Sequence, residues 1–328
     1  MKASALVITG PHAMEVGHHT VPELGDDDVL VRTEYSGVSQ GTEVDAFRGA
    51  RRELTFPTIT GYQSVGIIEA AGPAVRRFAV GDRVLFNTSR LPADYPFTWM
   101  GSHVSHAVVS TTSRPPLAVP ADVDPVEAAL TAMVAVSLGG IQQITVSLGD
   151  VVHVNGQGLI GQASAQLARA RGAYVIASDL SPLRRDLSAQ YSADIVIDPR
   201  EDDLDAVLRT NAPQGVDIVI ETSGRADQVA PSIERIKTGG ILLLQGYYRD
   251  RLDIDFHPTH IKKPSIVAAC GFGDLKLALT LLQRGRARFG GLVTHLSPPE
   301  QAPELFARME SADPGILGVV FDWTNGAP

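Results

Sequence analysis

Cysteine is almost missing from this sequence, with one thiol, Cys270, in 328 residues. A single cysteine excludes an internal disulfide framework and a cysteine-rich structural zinc lobe, and it suits a reducing compartment. Long apolar runs are missing as well. No uncharged stretch of about 18 apolar residues occurs, so no membrane span is expected. The opening Met1-Lys2-Ala3-Ser4-Ala5-Leu6-Val7-Ile8-Thr9-Gly10 lacks the charge layout and apolar length of a secretory signal, and a cytoplasmic protein is expected. Basic excess is missing too. The 28 Lys+Arg stand against 37 Asp+Glu, a net charge of −9, so neither nucleic acid nor an anionic membrane is an expected partner. What remains is an ordinary globular composition, 44% hydrophobic and 20% charged, at a length sufficient for two domains with their own cores.

Short β-branched segments fill the N-terminal third: Ala5–Thr9, Val29–Tyr35, Ser64–Ala70, Arg83–Phe86 and Val104–Val109. Turn signals such as Gly25-Asp26-Asp27-Asp28 and Val80-Gly81-Asp82 separate them, which predicts a compact β-barrel-like domain. Thr88 to Met100, with Tyr95 and Trp99, reads as a loop of the length used for lids and binding loops. A helical pattern opens at Asp124-Pro125, an N-cap followed by proline in the first turn. From Val151 to Ala269 continuous apolar strands alternate with helical segments, which predicts a doubly wound parallel sheet. The later segments Leu275–Gln283, Leu292–His295, Pro299–Glu310 and Gly318–Phe321 are expected to return to the first domain.

The alternating part begins with an apolar strand, Val151-Val152-His153-Val154, then a glycine turn, then a helix. Gly156, Gly158 and Gly161 fall as G-x-G-x-x-G, with Leu159 and Ile160 opening the helix. Such a turn lets backbone approach a pyrophosphate, and the helix aims its free N–H groups at the anion. A second strand, Tyr174–Ser178, ends at Asp179, 18 residues past Gly161, with Leu180 next. An acid there hydrogen-bonds the ribose hydroxyls and repels a 2′-phosphate, so NAD is expected ahead of NADP. Arg184-Arg185 are the opposing signal, since they could hold a phosphate; Arg184 is also placed to flank the ribose. Thr222, Ser223 and Gly246 follow later strands, at the carboxyl ends where a dinucleotide lies.

This arrangement resembles the medium-chain dehydrogenase/reductase superfamily over nearly the whole chain. The resemblance is carried by Gly61-Tyr62-Gln63-Ser64-Val65-Gly66, Val80-Gly81-Asp82-Arg83-Val84, Gly101-Ser102-His103-Val104-Ser105-His106, Ala128-Ala129-Leu130, the glycine turn, Glu221-Thr222-Ser223-Gly224, and Thr294-His295 with Ala302-Pro303-Glu304-Leu305-Phe306. Two stretches, Ser36-Gly37-Val38-Ser39-Gln40-Gly41-Thr42-Glu43 and Gly61-Tyr62-Gln63-Ser64-Val65-Gly66, are similar to bacteriochlorophyllide dehydrogenases in particular. The resemblance implies a Rossmann sheet inserted in a GroES-like barrel domain. The expected division is 1–122 with 272–328 for the GroES-like domain and 123–271 for the dinucleotide-binding domain. A homodimer built through the Rossmann sheets is also implied.

Zinc-dependent members of that superfamily hold a catalytic metal with Cys, His and Cys or Asp. The matching positions here are Ser39, Tyr62 and Met133, none of which makes a tight zinc site. No metal is therefore expected. Hydride transfer at a carbinol carbon still needs a place for the hydroxyl proton and a partner for developing charge on oxygen. The catalytic candidates are Tyr62, as donor or depressed-pKa base, Glu43 as proton relay, Ser39 and Thr42. A bland alternative has Tyr62 and Met133 filling space, with Glu43 paired to Arg48 or Arg51. Gln63, Asn87, Trp99 and Met133 are substrate-pocket candidates, with Phe47 and Tyr247. His103 and His106, three apart on a predicted strand, face opposite sides and cannot form a metal pair; a structural role is expected for them. His18-His19 read as a solvated strand end. The expected activity is zinc-independent, NAD-dependent interconversion of an alcohol and a ketone on a small molecule. Its rivals are NADPH-dependent reduction of a quinone or enoyl C=C bond, and a non-redox epimerase or lyase that uses bound NAD transiently.

Overall fold

The computed structural model of the chain describes residues 1–92, 95 and 101–325. It divides into two compact units, Met1–Ala132 with Val293–Pro328, and Met133–Leu292. The first unit opens with β1 (Lys2–Gly10), β2 (Ala13–Thr20), β3 (Asp28–Gly37), α1 (Gln40–Phe47), β4 (Thr58–Ile59), β5 (Ser64–Ala71), β6 (Arg83–Phe86), β7 (His106–Ser110), β8 (Leu117–Ala118) and α2 (Pro125–Ala128). β1 pairs antiparallel with β2 and β4 in a three-stranded sheet. β3 is the spine of a larger sheet, with β5 along one edge and β7 paired to its residues 28–32. Inward residues of these strands, including Val7, Val29, Val31, Ile68, Val84, Phe86 and Val109, form one apolar core. Their alternation with outward positions is the period of two that the sequence shows.

The second unit comprises α3 (Thr131–Ile141, whose first two residues fall in the first unit), β9 (Val151–Asn155), α4 (Leu159–Ala170), β10 (Tyr174–Ser178), α5 (Pro182–Tyr191), β11 (Ile195–Ile197), α6 (Leu204–Asn211), β12 (Val216–Glu221), α7 (Val229–Arg235), β13 (Ile236–Leu244), α8 (Phe256–Lys262), β14 (Ser265–Ala268) and α9 (Leu275–Gln283). Its six strands are all parallel, in the order β11-β10-β9-β12-β13-β14. This is the doubly wound order in which two halves meet between the first and fourth strands of the sheet. Alternate strand residues serve the two faces. Ile218 and Ile220 join one core with Ala165 and Leu167 of α4, while Val219 joins another with Leu204, Leu208 and Ile233 of α6 and α7. The chain then returns to the first unit as β15 (Val293–Ser297), α10 (Ala302–Glu310) and β16 (Gly318–Asp322). β16 pairs antiparallel with residues 35–37 of β3, on the strand whose other end carries β7.

Four expectations change. Both boundaries move: the first falls after Ala132 rather than 122, because α2 packs on β3 and β5 of the first unit, and the second falls at Leu292 rather than 271, because α9 stays in the second unit, where Leu281 packs on the core formed with Leu138 and Ile141. β2 and α1 are not apparent from the sequence. β2 carries few apolar residues and is held by main-chain pairing to β1, and α1 is short and contains Gly41. The helical segment read from the sequence over Arg225–Ile236 is a 3-10 turn, Ala226–Gln228, running into α7, with Pro231 in the first turn of α7 and Ile236 beginning a strand. His19 is buried in β2 rather than solvated, which lowers its pKa, whereas His18 is exposed. Among the described residues no helix is long and apolar enough to cross a membrane.

Candidate active site

In the second unit the glycine turn joins β9 to α4. Gly156 has φ +87°, a left-handed conformation that favours glycine, and a Cβ there would lie 2.9 Å from Ser223 Cα. A Cβ on Gly161 would sit 1.9 Å from the Gly156 carbonyl oxygen, so only glycine lets the helix close onto the turn. Gly158 differs: nothing lies within 4 Å of its Cβ position, and as N-cap it offers no side chain to the first turn of α4. The N–H groups of that turn, with Leu159 and Ile160, are left for an anion. Thr222 ties the following strand end in by donating from Oγ1 to the Gly156 carbonyl at 2.7 Å. Gly246 donates its N–H to the Glu221 carbonyl at 3.0 Å, which draws the loop after β13 against the loop after β12. The open glycine and the uncapped helix start fit a dinucleotide pyrophosphate.

Asp179 follows β10, and its carboxylate accepts N–H from Gln157 at 2.6 Å and from Ser181 at 2.8 Å. One acid thus joins the glycine turn to the end of the second strand, while the neighbouring Leu180 is exposed. Arg184 Nη1 lies 3.9 Å from Asp179. Arg185 and Arg200 both pair with Asp198 at 2.9 Å, and both also donate to the main chain at the strand end, Arg185 to the Asp179 and Leu180 carbonyls and Arg200 to the Leu180 carbonyl. Beneath the turn, burial drives His153 down to about 3, so this imidazole is neutral and donates from Nε2 to Ser178 Oγ at 3.0 Å. Glu221, at the end of β12, is raised by the same cause and accepts from Asn155 and Ser223.

The polar centre of the first unit gathers around α1. Ser39 is its N-cap, yet the hydroxyl makes no cap bond. It pairs with the Tyr62 hydroxyl instead, as does Thr42. Tyr62 is 4% exposed, and burial pushes its hydroxyl up to about 12. A phenol so raised stays protonated at neutral pH, so the depressed-pKa base considered for Tyr62 gives way to a hydrogen-bond donor. Ser39 is buried and Thr42 half-buried, which makes Thr42 the more open end of the cluster.

Glu43 is fully buried and both its oxygens are engaged: Oε1 accepts the Ser39 N–H at 2.9 Å and Oε2 faces His103 Nε2 at 2.9 Å. Pairing of Glu43 to Arg48 or Arg51 does not occur, because Arg48 holds Glu310 and Arg51 holds Glu53. His103 precedes β7 rather than standing on it, and is buried where His106 is half-buried beside Glu69. No local pattern marks His103 as a partner of Glu43, since the two are 60 residues apart and meet only through folding. Gln63 is fully buried with both amide atoms unpaired, at a cost of about 1–3 kcal/mol per orphaned group. Asn87 is half-buried just after β6. Phe47 is core rather than pocket, its ring 5.7 Å from Phe306 of α10. Met133 is buried in α3 of the second unit, where Tyr247 is exposed; Trp99 lies outside the described residues.

Zinc asks for thiolate, imidazole or carboxylate donors. Two hydroxyls and a thioether at Ser39, Tyr62 and Met133 do not fit it, and the nearby imidazole and carboxylate are turned on each other. Among the described residues no group of three or more His, Cys, Asp or Glu is placed to hold a metal ion.

The family profile described as alcohol dehydrogenase GroES-like domain matches residues 25–111, and that described as zinc-binding dehydrogenase matches residues 160–284. The chain is 27% identical to 2-desacetyl-2-hydroxyethyl bacteriochlorophyllide A dehydrogenase of Rhodobacter capsulatus, covering 99% of each chain. It is 28% identical to D-arabinitol dehydrogenase 1 of Uromyces fabae over 94% of each. A Sinorhizobium meliloti protein solved with NADP bound superposes with a TM-score of 0.85 at 24% identity, covering 98% of this chain and 99% of that one.

Proposed function

The chain belongs to the medium-chain dehydrogenase/reductase superfamily, and from that premise we propose that it interconverts an alcohol and a ketone with NAD(H) and without zinc. The observation that carries the reading is the Ser39–Thr42–Tyr62 hydroxyl cluster, in which Ser39 and Tyr62 are buried and stand at two of the three positions matched to the zinc donors of metal-bearing relatives. Bound at the glycine turn, a nicotinamide dinucleotide accepts or supplies the hydride. Gly156, Gly158 and Gly161 shape its phosphate site, and Asp179 favours the free ribose hydroxyls of NAD over a 2′-phosphate. Two of the three nearby arginines are committed to Asp198, which supports the same preference.

The hydroxyl cluster handles the oxygen. In the reducing direction Tyr62 donates its proton to the carbonyl oxygen as charge develops there, and is itself reprotonated through Ser39 or Thr42. In the oxidising direction the proton returns along the same hydroxyls. Because burial holds Tyr62 at about 12, a concerted relay avoids a free phenolate at neutral pH. Gln63, buried and unpaired, is assigned to a polar group of the substrate.

Metal removal tests the reading. Activity on an alcohol–ketone panel is expected to survive exhaustive chelation, with zinc content measured on the same sample. Loss on chelation with recovery on adding zinc would overturn it.

A further inference from the structure

Behind the hydroxyl cluster stands a chain of buried groups that the proposed proton transfer does not touch. Trp323 Nε1–H donates to Ser36 Oγ at 2.8 Å, Ser36 Oγ lies 2.7 Å from His103 Nδ1, and His103 Nε2 lies 2.9 Å from Glu43 Oε2. Ser36, His103 and Glu43 are fully buried and Trp323 is 6% exposed. Each link has a direction. An indole N–H only donates, so Ser36 accepts there and has its own hydrogen to give. The short contact to His103 takes that hydrogen at Nδ1. The ring hydrogen of a neutral imidazole then lies on Nε2, facing a carboxylate that only accepts.

The ring is also fixed in place. A Cβ on Gly61 would lie 2.5 Å from His103 Cγ, so the 60–63 turn packs its bare backbone on the imidazole. The His103 N–H is taken by the Thr60 carbonyl at 3.0 Å, and Phe321 meets the ring edge-to-face at 5.7 Å. Glu43, held by this ring, reaches back four residues to take the Ser39 N–H at the start of α1. The Ser39 hydroxyl turns to Tyr62 instead of capping α1.

We infer that the Trp323–Ser36–His103–Glu43 chain is a positioning relay: it orients the Glu43 carboxylate, which pins the start of α1 and leaves the Ser39 hydroxyl to Tyr62. His103 and Ser36 are therefore positioning residues that act through Glu43 and touch no substrate. This rests on the reading of Tyr62 as the proton donor.

The test is Ser36→Ala, which spares every charged member of the relay, with His103→Gln as a variant that can still donate to Glu43. Ser36→Ala is expected to lower kcat about tenfold with KM for NAD unchanged, and to lose that effect in a Tyr62→Phe background. His103→Gln should retain more activity than His103→Leu. Undiminished kcat in Ser36→Ala, or deficits that simply multiply in the double variant, would overturn the relay. Two signals need no turnover. Nitrogen NMR of the labelled imidazole is expected to show the Nε2–H tautomer, and the Tyr62 ζ-carbon resonance should shift in Ser36→Ala. An Nδ1–H tautomer, or a Tyr62 resonance that stays put, defeats the relay even if the enzyme proves to transfer no hydride to ketones. A wild-type protein inactive on every alcohol and ketone, but with both signals as expected, would instead defeat the functional reading.

Discussion

Tyr62 presents a buried phenol whose proton is held tightly, and its hydrogen-bond partners are the hydroxyls of Ser39 and Thr42. Deleting a preorganised donor to a developing oxyanion commonly costs two to three powers of ten in kcat, and Tyr62→Phe is expected to fall by about 100-fold with KM for NAD little changed. The wild-type pH–rate profile should carry no limb from Tyr62 until near pH 12. Full activity in Tyr62→Phe would leave the ring as packing. Asp179 is the side chain on which the proposed NAD preference rests. Asp179→Ser removes the charge proposed to exclude a 2′-phosphate, so kcat/KM for NADP should rise relative to NAD; an unchanged ratio would contradict the ribose assignment. Both residues are legible from sequence because each sits in a local motif, one in Gly61-Tyr62-Gln63 and one at a strand end. His103, Ser36 and Trp323 are not, since their contacts span 60 to 287 residues and exist only once β16 pairs with β3.

Among the elements, those with strong periodicity are legible and those held by their neighbours are not. The inner parallel strands β9, β10, β12 and the end of β13 show as apolar runs because both their faces are buried. α1 hides because its eight residues include a glycine and several polar groups, and its burial is decided by α10 and by Glu43. The start of α5 and the end of β11 are joined by Asp198, which accepts from Arg200 and Arg185. The Arg200 hydrogen bond, first of several causes, holds its carboxyl down from 3.8 to about 2. A depressed acid stabilises the fold above its unfolded pKa, and the gain is lost as pH falls through the folded one. Asp198→Asn should therefore melt below the wild type at neutral pH, with the gap closing between about pH 4 and about pH 2. A gap independent of pH would show that the carboxylate contributes through shape alone.

At the scale of the whole molecule, one compact unit is written as two segments of sequence with the other between them. That order is legible because the pattern changes from turn-separated short strands to strand–helix alternation. The second boundary is not, since α9 resembles any amphipathic helix, and only its packing on the parallel-sheet core shows which unit owns it. The second unit holds the glycine turn and Asp179, and the first holds the hydroxyl cluster and its buried support. The central claim is that hydride passes between NAD and a carbinol carbon with no zinc. Deuteride tracing tests it most directly, using metal-stripped protein, NADH deuterated at its transferable position, and a panel of ketones and enones. The carbinol carbon of the product is expected to carry the deuterium. Deuterium on the β-carbon of an enone, or transfer only after zinc is restored, would contradict it.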